Sequence, residues 1–444
     1  MGQVSRFSRR TALKGGAAAA AASLYVPTYL RHVSAQTPES APLATDSLQV
    51  SGPVEIEYWQ YVLDAKVAII DELIPEFQAA NPNITVKHVN FPYDDFRQQV
   101  AAAVQAGEGP DVLNVYYGWI PAYVQQQFIQ ALPADIFPNE MIETEFFPTV
   151  QAAKLNDMYY ALPTAVRTLA LFYNTAHLEE AGVAPPTNWQ ELVDVAIATT
   201  KKNGDDFERV GFTYDIAGQG HNWWREGLIR QNGGFPQSDD NRTVNWTSPE
   251  AIEAFTYHTD FLLTHGVTQN AFQTDGQTAF GSGAAALHVD GSYRVGSYAL
   301  NFPDLAYGVV PLPANKSQAS FASFWANTIT RNAAEGDKQI AALKWIDFLA
   351  SEGVQRRWTP ATGELPARAA LASDPVLTAD PIIAPFIDSL AFSYATFMVN
   401  EADLRQAAID AYDNVTLNGM DAATALQEGQ DKVQAQLDEF WSGV

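Results

Sequence analysis

The sequence contains no cysteine. Disulfides, thiolate metal sites and cysteine nucleophiles are therefore excluded, and so is a lipid-anchored cysteine behind a signal segment. Basic residues are scarce too, 26 against 51 acidic. The seven histidines are scattered. His258 and His265 stand seven apart outside any HExxH pattern, so a zinc site is not expected. There is no GxSxG elbow, no GKS or GKT phosphate loop and no EF-hand calcium loop. Internal repeats are absent as well. The adjacent acids Asp205-Asp206 and Asp239-Asp240 read as solvated loops. No cofactor and no metal are expected.

What is present points outside the cytoplasm. The first 35 residues hold Arg6, Arg9, Arg10, Lys14 and Arg31 and no acid. The adjacent arginines of SRRTALK precede GGAAAAAASLYV, and VSAQ offers small residues for cleavage near Ala35. This reads as an export signal of twin-arginine type. Its Ala-rich run is too short and too weakly apolar for a membrane span. The expected mature chain is exported, free of the membrane and periplasmic. With those five basic residues removed, 21 basic residues face 51 acidic ones. A surface that negative repels phosphate backbones and anionic lipid, which argues against nucleic acid as a partner.

With 444 residues, 47% hydrophobic and 12% aromatic, the chain can bury two or three domain cores. Residues 36–52 are polar and aperiodic and are expected to be a flexible linker. Order is expected from VEIEYWQ onward, an alternating strand. Leu63, Val67, Ile70, Ile74 and Phe77 then form a helical stripe that Asn81-Pro82 stops. ITVKHVN is the next strand. Phe96, Val100, Ala103 and Val104 mark the next helix face. GEGP turns the chain into VLNVYYGW. This βαβαβ pattern predicts an α/β fold with a mostly parallel sheet. In such sheets ligands bind beyond the carboxyl ends of the strands. Trp59 and Gln60 end the first strand, and Tyr116 and Tyr117 end the third, so two strands carry aromatic rings to that rim. Farther on, ALFYN, AAALHVDG, AYGVV and FASFWANTI read as extended segments. PPTNWQEL opens a helix with Thr187 as N-cap and Gln190 three residues on. Ser248 and Pro249 open another, closed by Gly266. A last helix starts near Asp421 and packs on Val433, Leu437 and Trp441.

Several segments together resemble the extracellular solute-binding proteins of ABC importers, in the branch that binds maltose, trehalose or glycerol phosphate. They are the strand ending in Trp59, GEGPDVLNVYYG, YYALPTAVRTLALFYN, PPTNWQEL, FGSGAAALHVDGSY, ALKWIDFLASEGVQRRW and TGELPARAAL, in the order of that family. The resemblance implies a two-lobed periplasmic-binding-protein fold with the ligand cleft between lobes. One lobe would comprise 53–165 and 314–360, the other 166–313 and 361–444. Hinges would lie near 165–168, 310–313 and 359–362. It also implies a monomer that hands a sugar to a membrane permease.

A sugar presents hydroxyl edges and a weakly apolar C–H face, so its site needs rings and planar polar groups rather than a nucleophile. Carried over by resemblance, the candidates are Trp59, Gln60 and Asp64 at the first strand end, and Tyr116, Tyr117 and Trp119 at the third. Alternation predicts that one of the two tyrosines is core. Arg167 stands where maltose-binding relatives carry an acid. Its fixed fork of donors suits either an acidic or phosphorylated ligand, or a salt bridge across the hinge. Trp223, Trp224 and Tyr293 are the candidates in the second lobe. Phe324 and Trp325 stand where relatives have small residues, which implies a small cleft and a mono- or disaccharide. Gly363 and Glu364 follow the third crossover, and Arg368 reads as structural. The rival readings are an exported glycosidase or lyase with paired carboxylates, and the same fold binding a glycerophosphate, uronic acid, polyamine or peptide. A polyamine site should hold several cleft acids, and the candidates supply only Asp64 and Glu364.

Overall fold

The computed structural model describes residues 44–443. The expected export signal and residues 36–43 lie outside them. Residues 44–52 are not the flexible tail expected from their polarity, because their polar groups find fixed partners. The Thr45 amide and hydroxyl both donate to Asp347 Oδ2 at 2.9 Å. Lys344 Nζ donates to the carbonyls of Thr45 and Leu48. The Ser51 amide and hydroxyl donate to Asp337 at 3.0 and 2.6 Å. All three partners stand on the helix Gly336–Leu349.

The first strand, β1, spans Val54–Tyr61. The helix Asp64–Ala80 follows and ends at Asn81, before Pro82. Its buried face is Lys66, Ile69, Ile70, Leu73 and Phe77. That face is rotated from the expected stripe, shares Ile70 and Phe77 with it, and includes a lysine. Next come β2 (Ile84–Phe91), the helix Tyr93–Ala106 and β3 (Val112–Tyr116). β1 pairs parallel with β2 on one side and β3 on the other. A small hairpin, β4 (Lys154–Leu155) and β5 (Met158–Tyr159), precedes the long β6 (Leu162–Asn174).

β7 (Lys201–Asn203) and β8 (Asp206–Tyr214) form a hairpin. β9 (Ala285–Gly291), β10 (Tyr307–Val310), β11 (Ser320–Ile329), β12 (Leu365–Pro366) and β13 (Ser393–Tyr394) complete the set. Eleven of these strands make one sheet in the order β2-β1-β3-β11-β6-β9-β8-β7, with β10 and β12 on β6 and β13 on β11. The sheet is mixed rather than mostly parallel. β11 runs antiparallel to both β3 and β6, and β6 antiparallel to β9. β6 changes partners midway: Leu162–Thr168 lie along β11, and Leu169–Tyr173 along β9. The first expected hinge, 165–168, is thus part of a continuous strand.

Local chemistry explains most boundaries. Ser248 caps the helix Pro249–Leu263, and Asp421 caps Ala422–Ser442, as expected. The helix Trp189–Thr199 is capped by Asn188 rather than Thr187. Asn188 Oδ1 accepts from the Glu191 amide, while the Glu191 carboxylate accepts from the Thr187 amide and hydroxyl. The cap and its acid therefore sit one residue later than read, with the carboxylate reaching back past the cap to Thr187. Among the described residues, no helix is long and apolar enough to cross a membrane.

Candidate functional site

The carboxyl ends of β1 and β3, the middle of β6 and the segment before β12 converge on one buried cluster. Arg167, on β6, lies at its centre. Its Nε donates to Glu364 Oε1 at 2.7 Å, and Nη2 bonds the same carboxylate. Nη2 also donates to the Tyr61 hydroxyl at 2.7 Å. Trp358 Nε1 donates to the second carboxylate oxygen, Glu364 Oε2, at 2.8 Å. The pair is buried, with 11% of the Arg167 side chain and 3% of that of Glu364 exposed. Burial opposes ionisation of Glu364, but Arg167 and Lys66 outweigh it and hold its pKa down at about 2. Arg167 is a salt-bridge residue at this crossover, so the acidic-ligand reading loses the free fork it needed.

Lys66 is the second cation of the cluster. It comes from the helix Asp64–Ala80 and is fully buried. Its Nζ reaches Asn114 Oδ1 at 3.2 Å and the Tyr61 hydroxyl at 3.4 Å. It lies over the rings of Tyr61, Trp325 and Trp358 at 4.4, 5.3 and 5.9 Å. Burial pulls its pKa down to about 8, with Glu364 opposing the shift. The remaining positive charge is therefore held behind aromatic rings. The Tyr61 hydroxyl is pushed up to about 12 by burial, against the pull of Arg167.

A second polar group flanks the first at the end of β9. Asp290 accepts from the Tyr293 hydroxyl at 2.6 Å and from Arg294 Nε at 2.5 Å, and lies 3.2 Å from His288 Nε2. Arg294 also donates to Gln277. Burial works against the Asp290 charge, yet Arg294 and His288 keep its carboxyl well below the usual range. The Tyr293 ring packs on the Arg167 guanidinium at 5.0 Å, which joins the two groups.

The expected site residues divide clearly. Arg167, Glu364, Tyr293 and Trp325 meet in this cluster. Trp325 carries the contact outward, 4.3 Å from Tyr61, 5.7 Å from Tyr116 and 5.3 Å from Trp119. Tyr117 packs on Tyr116 and stacks on Phe324 at 5.0 Å. Both tyrosines are buried, not one of the two as alternation predicted. Register explains it: Tyr116 pairs with Trp325 inside the sheet, and Tyr117 starts a short turn of 3₁₀ helix. Phe324 and Trp325 lie within β11.

Trp59 is half-buried against Phe91 and joins the chain of rings through Phe96. Gln60 is fully buried with neither side-chain polar atom bonded. Asp64 is exposed at the start of its helix. Gly363 ends the helix Glu352–Thr362 in the left-handed region at φ +76, where a Cβ would stand 3.1 Å from the Ser292 carbonyl. Trp223 stacks on Phe321 at 5.7 Å, apart from the cluster. Trp224 is a core residue, packed against Phe212, Tyr214 and His258. Both tryptophans stand on the helix Gln219–Gln231. Arg368 is structural, bonded to Glu145 and the Ala350 carbonyl.

Sequence reading missed Tyr61, Lys66, Trp358 and Asp290. Two signals were available: Tyr61 continues the Trp59 face of β1, and Lys66 precedes Ile70 by four on a helix.

Beside the rings lies a cavity of about 420 Å³, whose lining includes Arg97, Trp119, Tyr123, Asn400, Glu401 and Gln436. The Arg97 guanidinium sits 5.7 Å from the Trp119 ring and donates to Asn400 Oδ1 at 3.4 Å. Trp119 is 6% exposed, and its indole nitrogen is buried without a partner. Trp59 Nε1 and Asn90 Oδ1 are unpaired in the same way. Among the described residues, no group of three or more His, Asp or Glu side chains could hold a metal ion.

The sequence model of the bacterial extracellular solute-binding protein family matches residues 72–385, well over half of the chain. The chain belongs to this family. Among the relatives of this solute-binding protein is the maltotriose-binding protein of Pyrococcus abyssi, 23% identical over 77% of this chain and 73% of the relative. The galactooligosaccharide-binding protein of Bacillus subtilis is 23% identical over 81% and 85%. Among solved structures, the cyclic alpha-maltosyl-1,6-maltose binding protein from Arthrobacter globiformis superposes with a TM-score of 0.76. It is 20% identical, and the match covers 87% of this chain and all of that one. The solute-binding protein therefore has the two-lobed α/β fold of that structure.

Proposed function

We propose that this solute-binding protein captures a neutral saccharide and delivers it to the membrane permease of an ABC importer, working as a periplasmic monomer. The observation that carries the reading is the state of Arg167. Glu364 and Tyr61 occupy its fork and the Tyr293 ring lies over its guanidinium, so no free fork is left for an anion, and the rings around it suit the C–H face of a sugar. The maltotriose- and galactooligosaccharide-binding relatives support the same class. A phosphorylated or acidic ligand is not favoured. Catalysis forms no part of the proposal. Glu364 and Asp290 are both held ionised by arginines, the reverse of the raised pKa a general acid needs. The cavity volume falls within the usual range for small-ligand sites and suits a short saccharide.

The lobes would be 53–165 with 314–360 and 166–313 with 361–444, and the change of partners along β6 supports the first boundary. Ligand contacts made only when the lobes close would shift the population toward the permease-competent shape. Moving from 1:99 to 99:1 takes about 5.5 kcal/mol of differential binding. Titration calorimetry of Trp119→Ala and Tyr293→Phe tests the site. Each variant is expected to weaken saccharide binding by about tenfold, or ~1.4 kcal/mol. Unchanged affinity in both variants would move the site elsewhere.

A further inference from the structure

The Tyr293 ring is fixed from three sides. Its hydroxyl donates to Asp290 Oδ1 at 2.6 Å. One side of the ring lies against Gly291, where a Cβ would stand 2.3 Å from Tyr293 Cε1, so the missing side chain makes room for it. The Arg167 guanidinium lies 5.0 Å from the ring centre.

Asp290 supplies the first of these contacts from inside the protein, with 4% of its side chain exposed. Its Oδ1 also accepts from the Gly291 amide at 2.7 Å. Its Oδ2 accepts from Arg294 Nε at 2.5 Å and lies 3.2 Å from His288 Nε2. A buried carboxylate is costly unless its oxygens are bonded, and here both are. The Arg294 guanidinium stands 5.1 Å from the same Tyr293 ring, and 25% of its side chain is exposed. Two guanidinium groups thus meet at one ring. Asp290 acts on both, neutralising Arg294 directly and holding the ring over Arg167 through the Tyr293 hydroxyl.

We propose that Asp290 is a positioning residue that sets the preference for a neutral saccharide over an anionic one, acting through Tyr293 and Arg294. The inference rests on the saccharide reading above. An anionic ligand binds a guanidinium that is uncovered and lacks a counter-charge. Glu364 neutralises Arg167 and the Tyr293 ring covers it, while Asp290 neutralises Arg294. Asp290→Asn would leave Arg294 without its carboxylate. It would also replace the charged acceptor of the Tyr293 hydroxyl by a weaker neutral one, so the ring would no longer be held over Arg167.

The test is calorimetric titration of the chain from Gln36 with glucose, galactose, maltose and maltotriose, and with glucuronic acid, galacturonic acid and glucose 6-phosphate. The parent is expected to bind at least one neutral sugar and none of the three anions. In Asp290→Asn the neutral sugar should bind about tenfold more weakly, and at least one anion should now bind. Tyr293→Ala removes the cover from Arg167 and leaves the Asp290–Arg294 pair in place. It should move the preference the same way, and it decides the matter if Asp290→Asn does not fold. A purely structural role predicts weaker binding of the neutral sugar with the anions still excluded. That result in either folded variant, or binding unchanged from the parent, overturns the role of Asp290 and leaves the proposed function standing. No binding of any neutral sugar by the parent overturns both.

Discussion

The Arg167–Glu364 pair shows how much one buried charge depends on its partner. Arg167→Met would leave the Glu364 carboxylate facing only Lys66 and Trp358 in a site closed to water. Breaking such a pair from one side costs about 3–5 kcal/mol. Replacing both, Arg167→Met with Glu364→Leu, should cost clearly less than the sum of the single losses in urea unfolding. Additive losses would mean that the two residues do not act as a pair. A second residue-scale prediction concerns His221 and His258, whose rings lie 5.3 Å apart in the core. Neither nitrogen of His258 has a partner. Burial lowers both pKa values, that of His221 to about 4, with Asp215 opposing the shift and Arg225 adding to it. Tyr214, Trp224 and Tyr412 supply only rings around His258. As pH falls below about 6.5, the unfolded chain takes up protons that the folded chain refuses. Stability should therefore fall from about pH 6.5 to 4, by up to ~1.4 kcal/mol per unit for each histidine. Below about pH 4.5 the Glu364 contribution goes too, lost as pH drops toward its folded pKa of about 2. His258→Phe should flatten the upper window and raise the melting temperature. An unchanged pH profile would show that these histidines are not the titrating groups.

At the scale of elements, helix and strand positions followed from periodicity, capping and turn residues, because those signals are local. Ser248, Asp421 and the Asn81-Pro82 stop are examples. What local signals could not show was pairing. Nothing in the βαβαβ pattern reveals that β11, more than 200 residues downstream, inserts antiparallel between β3 and β6. The site suffered in the same way. Trp59, Tyr116 and Trp119 were legible as aromatic rings at strand ends, although Tyr116 is buried inside the sheet, and Arg167 was singled out through the resemblance. Trp224 was a candidate through resemblance and is a core residue, because a tryptophan on a helix reads the same whether it packs inward or faces a ligand, and Lys66 escaped because a lysine on a helix is normally solvated. Close packing between elements gives a further prediction. A Cβ on Gly211 would come 1.8 Å from the Ala196 carbonyl oxygen, where β8 meets the helix Trp189–Thr199. Gly211→Ala should cost at least the upper end of the ~1–3 kcal/mol typical of overpacking, because the obstacle is backbone. A melting temperature equal to that of the parent would mean that strand and helix separate easily. The cap at Asn188 is worth less, with Asn188→Ala expected to cost about 1 kcal/mol.

Across the whole molecule, one sheet runs through both expected lobes, and the polar segment from Thr45 to Ser51 ties the start of the described chain to the helix Gly336–Leu349. Removing residues up to Ser51 should therefore lower thermal stability, although composition alone marks the segment as dispensable. The central claim is the capture of a neutral saccharide by a cleft whose arginine is already paired. The most direct measurement is thermal unfolding of the chain from Gln36 against neutral sugars, uronic acids, sugar phosphates and glycerophosphates. A ligand at a hundred times its dissociation constant adds about 2.7 kcal/mol, enough to move the melting temperature visibly. A rise is expected with one or more neutral sugars and none with the anionic compounds. A rise with acidic or phosphorylated compounds alone would contradict it, since it would require Arg167 to leave Glu364 for the ligand.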